Sequence, residues 1–177
     1  PGVIVPRKTV NELRKLLDEA GDEDVAVSVS ETKIRFSLDS VTLTSKLIDG
    51  AFPDYERVIP AGNDKLALLD RQAFKDAVDR VSTISTEKSR AVKLAIQPGT
   101  ITVSASNAEA GAASEEIEAD YDSDVMEIGF NSRYLLDIAS QMEGDVAELA
   151  FADPGAPTIL RDKADASALY VLMPMRV

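Results

Sequence analysis

The side chains best equipped for chemistry are carboxylates: Glu115, Glu116, Glu118, Asp120, Asp122 and Asp124 crowd one short stretch. Paired carboxylates can serve as acid and base, and a cluster can hold a divalent cation. An acidic metal-dependent hydrolase is therefore one reading, and it predicts metal-dependent stabilisation that a chelator reverses. The same stretch reads as a strand, however, in which Glu115 and Glu116 point to opposite faces, and it lacks calcium-loop spacing. A solvated strand and turn accounts for it equally. Ser82, Ser85 and Thr86 offer hydroxyls, yet the chain has no His and no Cys. The usual general base, nucleophile activator and zinc ligands are thus missing, disulfides are excluded, and Lys88 beside Glu87 is a weak base. The expectation is a protein that is not an enzyme, with no metal site and no cofactor.

Binding chemistry is better supplied. Residues 167–177 form an apolar run that ends Met173-Pro174-Met175-Arg176-Val177, without a polar tail. Such a run must dock as a strand, and Pro174, lacking an N–H, cannot continue a central ladder, so the chain should peel off at a sheet edge. Two flexible, polarizable Met side chains there suit a surface that accepts varied apolar ligands. A second stretch, 46–60, gathers Phe52, Tyr55, Pro53, Pro60 and Arg57 into one turn-rich segment. The net charge of −12 argues at first sight against a nucleic-acid partner, because a phosphate backbone needs clustered Lys and Arg. The acidic residues are concentrated in Asp18-Glu19, Asp22-Glu23-Asp24 and the 115–124 stretch. A protein acidic outside and basic along one inner surface is compatible with these numbers.

The elements that must position these groups repeat a pattern of strand, helix and three strands. In the first copy, residues 3–5 lead to a helix over 7–20, with Val10, Leu13, Leu16, Leu17 and Ala20 at helical spacing. Strands over 25–29, 34–38 and 41–47 follow. In the second, 66–69 leads to a helix over 70–84, with Phe74, Ala77, Val78, Val81 and Ile84 inward. Strands over 91–96, 101–106 and 113–119 come next, the first two joined by a Pro98-Gly99 turn. In the third, 125–130 leads to a helix capped by Asn131 or Ser132 and running to Met142. That helix buries Tyr134, Leu135 and Ile138 and is stopped by Gly144, before strands over 147–151, 158–160 and 169–172. The second and third copies make one whole domain; the first is half of another. The 45% hydrophobic content supplies real cores. No run of 18 apolar residues and no charged-then-apolar leader occurs, so neither a membrane partner nor secretion is expected and a cytoplasmic location is the default.

Basic residues fall outside the apolar stripes: Arg7, Lys8, Arg14 and Lys15 with Asn11 on the first helix, Arg71, Lys75 and Arg80 on the second, Arg133 on the third. A solvated helix face explains them as they stand. With no stacking aromatics and no Gly-rich loop, any DNA contact would be to phosphates, sequence-independent and easily screened by salt.

Several motifs carry a family resemblance. Ser45-Lys46-Leu47-Ile48-Asp49-Gly50, Phe52-Pro53-Asp54-Tyr55, Arg57-Val58-Ile59-Pro60 and the terminal Tyr170-Val171-Leu172-Met173-Pro174-Met175-Arg176 resemble the bacterial DNA polymerase III β subunit, the sliding clamp. Residues 3–8, the Ile128-Gly129-Phe130-Asn131 run with Tyr134, and Ser85-Thr86-Glu87-Lys88 are similar to the same family. The resemblance runs nearly end to end but covers the later part of a chain about twice as long, and the sequence begins at Pro1 without an initiator Met.

The resemblance implies an α+β sliding-clamp fold of repeated βαβββ units. Residues 1–62 would be the later half of the clamp's middle domain and residues 63–177 its C-terminal domain. It implies a processivity factor: a head-to-tail homodimer ring of the full-length chain around duplex DNA, tethering the DNA polymerase III α subunit, the clamp loader and repair proteins. A peptide-binding pocket maps onto Pro53, Arg57, Val58, Asn131, Tyr134, Val171, Met173, Pro174, Met175 and Arg176. The DNA-facing positions are Arg7 and Lys8, with Arg14, Lys75 and Arg80 in lesser roles. A half-interface between subunits falls at Thr83, Ile84 and Ser85 beside the strand over 91–96. Ser89 and Pro157 stand where relatives can carry an aromatic and a Ser. The family's pocket also draws on a loop upstream of the position matching Pro1. A clamp-fold interaction scaffold with no DNA role is a further alternative.

Overall fold

A computed structural model describes residues 2–21, 24–38, 40–85 and 90–176. Thr86, Glu87, Lys88 and Ser89, singled out in the sequence, lie outside the described residues, as do Asp22 and Glu23. Contacts divide the chain between Asp54 and Tyr55, so residues 55–62, which the resemblance put with the first domain, group with the second unit.

In the first unit, helix α1 (Arg7–Ala20) precedes an antiparallel sheet of β1 (Ala26–Val29), β2 (Lys33–Ser37) and β3 (Thr42–Lys46), in the order β1-β2-β3. The helix stops at Gly21, whose φ of 63° is a left-handed value that a side chain would resist, and its N–H closes onto Leu17 O. Thr9 is the buried residue of the helix, and its hydroxyl donates to Ser45 Oγ of β3 at 2.7 Å. Leu13, Leu16 and Ala20 continue that inner face. Val10 and Leu17, expected inward, are 51% and 40% exposed, because the stripe follows Thr9 one position away. The strand expected over 3–5 reduces to one bridge, Ile48 N–H to Ile4 O. Ile34 and Phe36 of β2 are buried at alternate positions, whereas β1 is exposed throughout.

The second unit opens with a 3₁₀ turn (Tyr55–Val58) and contains the repeat twice. Its first half comprises β4 (Lys65–Asp70), α2 (Arg71–Ser82), β5 (Ala91–Gln97), β6 (Thr100–Asn107) and β7 (Gly111–Glu118). Its second half comprises β8 (Met126–Asn131), α3 (Ser132–Ala139), β9 (Val146–Phe151), β10 (Thr158–Asp162) and β11 (Asp165–Leu172). The halves exchange their opening strands, giving antiparallel sheets ordered β11-β10-β9-β4 and β7-β6-β5-β8. Each opening strand also touches the residues after its own half's last strand, Leu68 with Asp120 and Gly129 with Met175, matching the Ile4–Ile48 bridge of the first unit.

Asp70 caps α2, its carboxylate accepting the Ala73 N–H at 2.7 Å. From there Phe74, Ala77, Val78 and Val81 are buried at helical spacing. They join Leu94, Ile101, Phe130, Leu135, Leu149 and Phe151 in one core between the sheets and helices. The Pro98-Gly99 turn is observed, with Gln97 opposite Thr100 and Gly99 at φ 84°. Helix α3 ends at Ala139, three residues before the expected Met142.

Candidate functional site

An open cleft of about 770 Å³ with a mostly apolar lining lies in the second unit, between the start of α3 and the edge strand β11. Asn131 ends β8 and caps α3, its Oδ1 accepting the Arg133 N–H at 3.0 Å. That cap aims the next turn outward: Tyr134, Asp137 and Ile138, spaced by three and four residues, form one wall. Leu169, Tyr170, Val171 and Leu172 of β11 form the other, and Met173 and Met175 close the end. Leu172 is buried and anchors its strand, while Met173 is 60% and Tyr134 54% exposed. Pro174 interrupts the ladder as its chemistry requires, and the chain crosses to β8, where the Met175 N–H donates to Gly129 O at 2.8 Å. Leu169, Met173 and Tyr134 are thus held exposed along the cleft.

The cleft exists because the two halves of the unit are unequal. The longer α2 packs down on β6 and β7 and is pinned there by Arg80, whose Nε and Nη2 both donate to the Glu115 carboxylate. That bidentate pair holds Glu115 below the usual carboxylate range and raises the Arg80 guanidinium. The shorter α3 buries Ser132, Leu135 and Ala139 and leaves β11 uncovered. Tyr134, expected in the core, therefore stands beside open space, and Ile138 is only partly buried; Leu135 is buried as expected.

Of the residues assigned to the pocket, Asn131, Tyr134, Val171, Met173 and Met175 come together. Pro174 links the two Met, and Arg176 lies with Met175 along the face of the β7-β6-β5-β8 sheet, near Lys93, Glu127 and Pro154. Arg57 and Val58 lie on the 3₁₀ turn and do not line the cleft. Pro53 belongs to the first unit. Asp137, Ile138, Leu169, Tyr170 and Leu172 also line the cleft and were not assigned to the pocket from the sequence. Helical spacing from Tyr134 points to Asp137 and Ile138, and the alternation of β11 around Val171 points to Leu169; Tyr170 and Leu172 carry no such signal.

The basic residues divide by what they touch. Arg7, Lys8, Arg14 and Lys15 share an exposed face of α1 with Asn11, Glu12 and Asp18. Lys15 pairs with Glu12 at 3.1 Å, whereas among the described residues Arg7, Lys8 and Arg14 have no acidic partner. On α2, Arg71 is committed to carbonyls, its Nε donating to Gly144 O at 2.7 Å and Nη1 to Ala139 O at 3.4 Å. Lys75 is half-buried and Arg80 is paired with Glu115. Arg133 sits 3.9 Å from Asp137. Thr83, Ile84 and Ser85 wind up the end of α2: the Thr83 hydroxyl donates to Arg80 O, the Ser85 hydroxyl to Ser82 O, and Ile84 O accepts from Asn107. Strand β7 forms the outer edge of its sheet. On it Glu115 faces inward with Ile117, and Glu116 and Glu118 face solvent. Among the described residues no three acidic groups converge as a metal site would require, and no helix is long and apolar enough to cross a membrane.

Residues 56–176 match the C-terminal domain of the DNA polymerase III beta subunit, and residues 1–54 match its central domain. The chain is 58% identical over 177 residues to the beta sliding clamp of Caulobacter vibrioides, covering all of this chain and 47% of that protein. It is 41% identical over 175 residues to that of Pseudomonas putida, covering 99% and 47%. Among solved structures, the sliding clamp of Bartonella birtlesii bound to griselimycin superposes with a TM-score of 0.93 at 56% identity, covering 100% of this chain and 48% of that one. A sliding clamp from Pseudomonas aeruginosa gives 0.89 at 39%, covering 99% and 48%. The chain spans about half the length of the curated relatives it matches. With both domain models matched in order and the clamp fold reproduced along its whole length, this chain belongs to the DNA polymerase III beta subunit, or beta sliding clamp, family.

Proposed function

We propose that the chain is part of a DNA sliding clamp, a non-enzymatic processivity factor of the cytoplasm. The full-length protein would close head-to-tail into a homodimer ring around duplex DNA. It would tether the DNA polymerase III α subunit, the clamp loader and other proteins bearing a clamp-binding motif. The observation that carries this reading is the solvent-open apolar cleft in a member of this family, with Met173 and Tyr134 more than half exposed at its mouth. An extended peptide fits such a surface: Met and Val adapt to its apolar side chains, and Asn131, Tyr134 and Asp137 offer polar handles. Pro174 and Arg176 would complete the rim. Burying two or three peptide side chains at ~1.5–3 kcal/mol each, less the cost of association, gives micromolar affinity.

DNA would be met by α1. Its first turn carries Arg7 and Lys8, no acidic residue and no side-chain cap, and its last turn carries acidic Asp18 and Glu19 but no basic residue. Both ends are charged against the helix dipole, an arrangement disfavoured in isolation and favoured once phosphate approaches the N-terminal end. Arg14 adds to this face and Lys75 contributes from α2, whereas the charge of Arg80 is shared with Glu115. Thr83, Ile84 and Ser85, in the same half as the open edge of β7, would belong to the subunit interface.

The test is a titration of the chain with a fluorescent Gln-Leu-Ser-Leu-Phe peptide, comparing wild type with Met173→Ala/Met175→Ala. Micromolar binding that the double variant loses supports the reading. No binding by wild type, or equal binding by the variant, overturns it.

A further inference from the structure

In each half of the second unit the residue ending the penultimate strand ties down the end of its helix. At the end of β6, Asn107 donates to Ile84 O at 3.2 Å and accepts the Glu109 N–H at 2.9 Å. At the end of β10, Asp162 accepts the Ala164 N–H on Oδ1 at 2.8 Å, and its Oδ2 accepts the N–H groups of Glu143 at 3.0 Å and Gly144 at 2.6 Å. Asp162 is only 8% exposed. From the other side Arg71 grips the Gly144 carbonyl and reaches Ala139 O at the last residue of α3. Gly144 is held through its amide and its carbonyl at once. A Cβ there would lie 2.4 Å from Asp162 Oδ1, so the glycine is required by space.

This knot adjoins the cleft. Asp162, Gly144 and the loop after α3 line a polar hollow of about 370 Å³ whose wall includes Tyr170, and Tyr170 also lines the apolar cleft. One cleft wall is α3, tied by its last turn to Arg71 and by the following loop to Asp162. The other is β11, which leaves the same turn through Ala164. The two walls therefore share one fixed point. In the other half, α2 settles onto β6 and β7.

We infer that Asp162, with Gly144 and Arg71, is a positioning residue that sets the separation of α3 from β11 and thereby the size of side chain the cleft admits; this rests on the peptide-docking reading above. When the knot is loosened, α3 relaxes toward β11 as α2 does toward β7, and bulky ligand groups lose more than small ones. The test compares two fluorescein-labelled peptides, Gln-Leu-Ser-Leu-Phe and Gln-Leu-Ser-Leu-Ala, on wild type, Asp162→Asn, Gly144→Ala, Asp162→Ala and Asp162→Ala/Gly144→Ala. The ratio of the two affinities is independent of the folded fraction, so a purely structural loss cancels. The preference for the Phe peptide should fall by about fivefold in Asp162→Asn and in Gly144→Ala. In the Asp162→Ala background, where the added Cβ has room, Gly144→Ala should change the ratio little further. Should Gly144→Ala fail to fold, the near-isosteric Asp162→Asn carries the same comparison. A ratio within about twofold of wild type in the variants overturns the inference. Failure of wild type to bind either peptide overturns the docking reading instead.

Discussion

Replacing Arg7 and Lys8 together by Ala should strengthen helix α1 while weakening DNA association, two effects of opposite sign from one change. Both side chains occupy the first turn of a helix that has no side-chain cap and no acidic residue there. An exposed cation at a helix N-terminus costs about 0.3–1 kcal/mol, so removing two should stabilise the helix by roughly 0.5–2 kcal/mol, with a smaller gain from the propensity of Ala. Removing one phosphate-binding cation should lower the slope of log affinity against log salt by about 0.9, hence by nearly 2 for the pair. Fluorescence anisotropy with a short labelled duplex over a salt series reads the slope, and thermal unfolding followed by circular dichroism reads the helix. Lys15→Ala is the control, because Lys15 is already paired with Glu12 and should shift the slope much less. An unchanged slope refutes the assignment of α1 to phosphate. A lowered melting temperature alongside weaker binding refutes the dipole argument, since DNA binding would then be lost through unfolding.

Three further outcomes follow from the geometry. Tyr134→Ala removes a side chain that is mostly in water already, so unfolding stability should move by less than about 0.5 kcal/mol while affinity for the Leu-Phe peptide falls about fivefold. Phe130→Ala, at a fully buried position, should instead cost about 3–5 kcal/mol in urea unfolding, and any peptide loss should track the unfolded fraction. Acid should loosen the second unit: Asp162 is held below its ordinary 3.8 first by the Gly144 N–H and also by those of Ala164 and Glu143. A depressed folded-state value means its stabilisation is complete above the unfolded value and is lost as pH falls through it toward the folded one. Urea unfolding followed by circular dichroism at pH 7 and between pH 5 and pH 2 should show Asp162→Asn less stable than wild type at neutral pH and losing less of its stability on acidification, because the variant has no carboxylate to protonate there.

The elements were legible in the sequence because each carried a local signal of its own. Apolar spacing placed α1 and α2 nearly to the residue, Asn131 is one of the two caps the side chains suggested, and Pro98-Gly99 is the turn its conformational preferences require. Pro174 announced the end of the β11 ladder for a purely covalent reason, its missing N–H. The family motifs added the pocket residues Asn131, Tyr134, Val171, Met173 and Met175, which tertiary folding brings to one cleft. Periodicity failed where a stripe had two possible partners: on α1 it chose Val10 and Leu17 over the face led by Thr9, and on α3 it buried Tyr134. Tertiary structure alone decided those cases, because burial depends on what lies opposite a helix. The exchange of β4 and β8, the commitment of Arg71 and Arg80 to partners far along the chain, and the knot at Asp162 are likewise pairings between distant residues. No local propensity encodes them; they exist once the core of Phe74, Leu94, Phe130 and Leu149 has brought the two halves together.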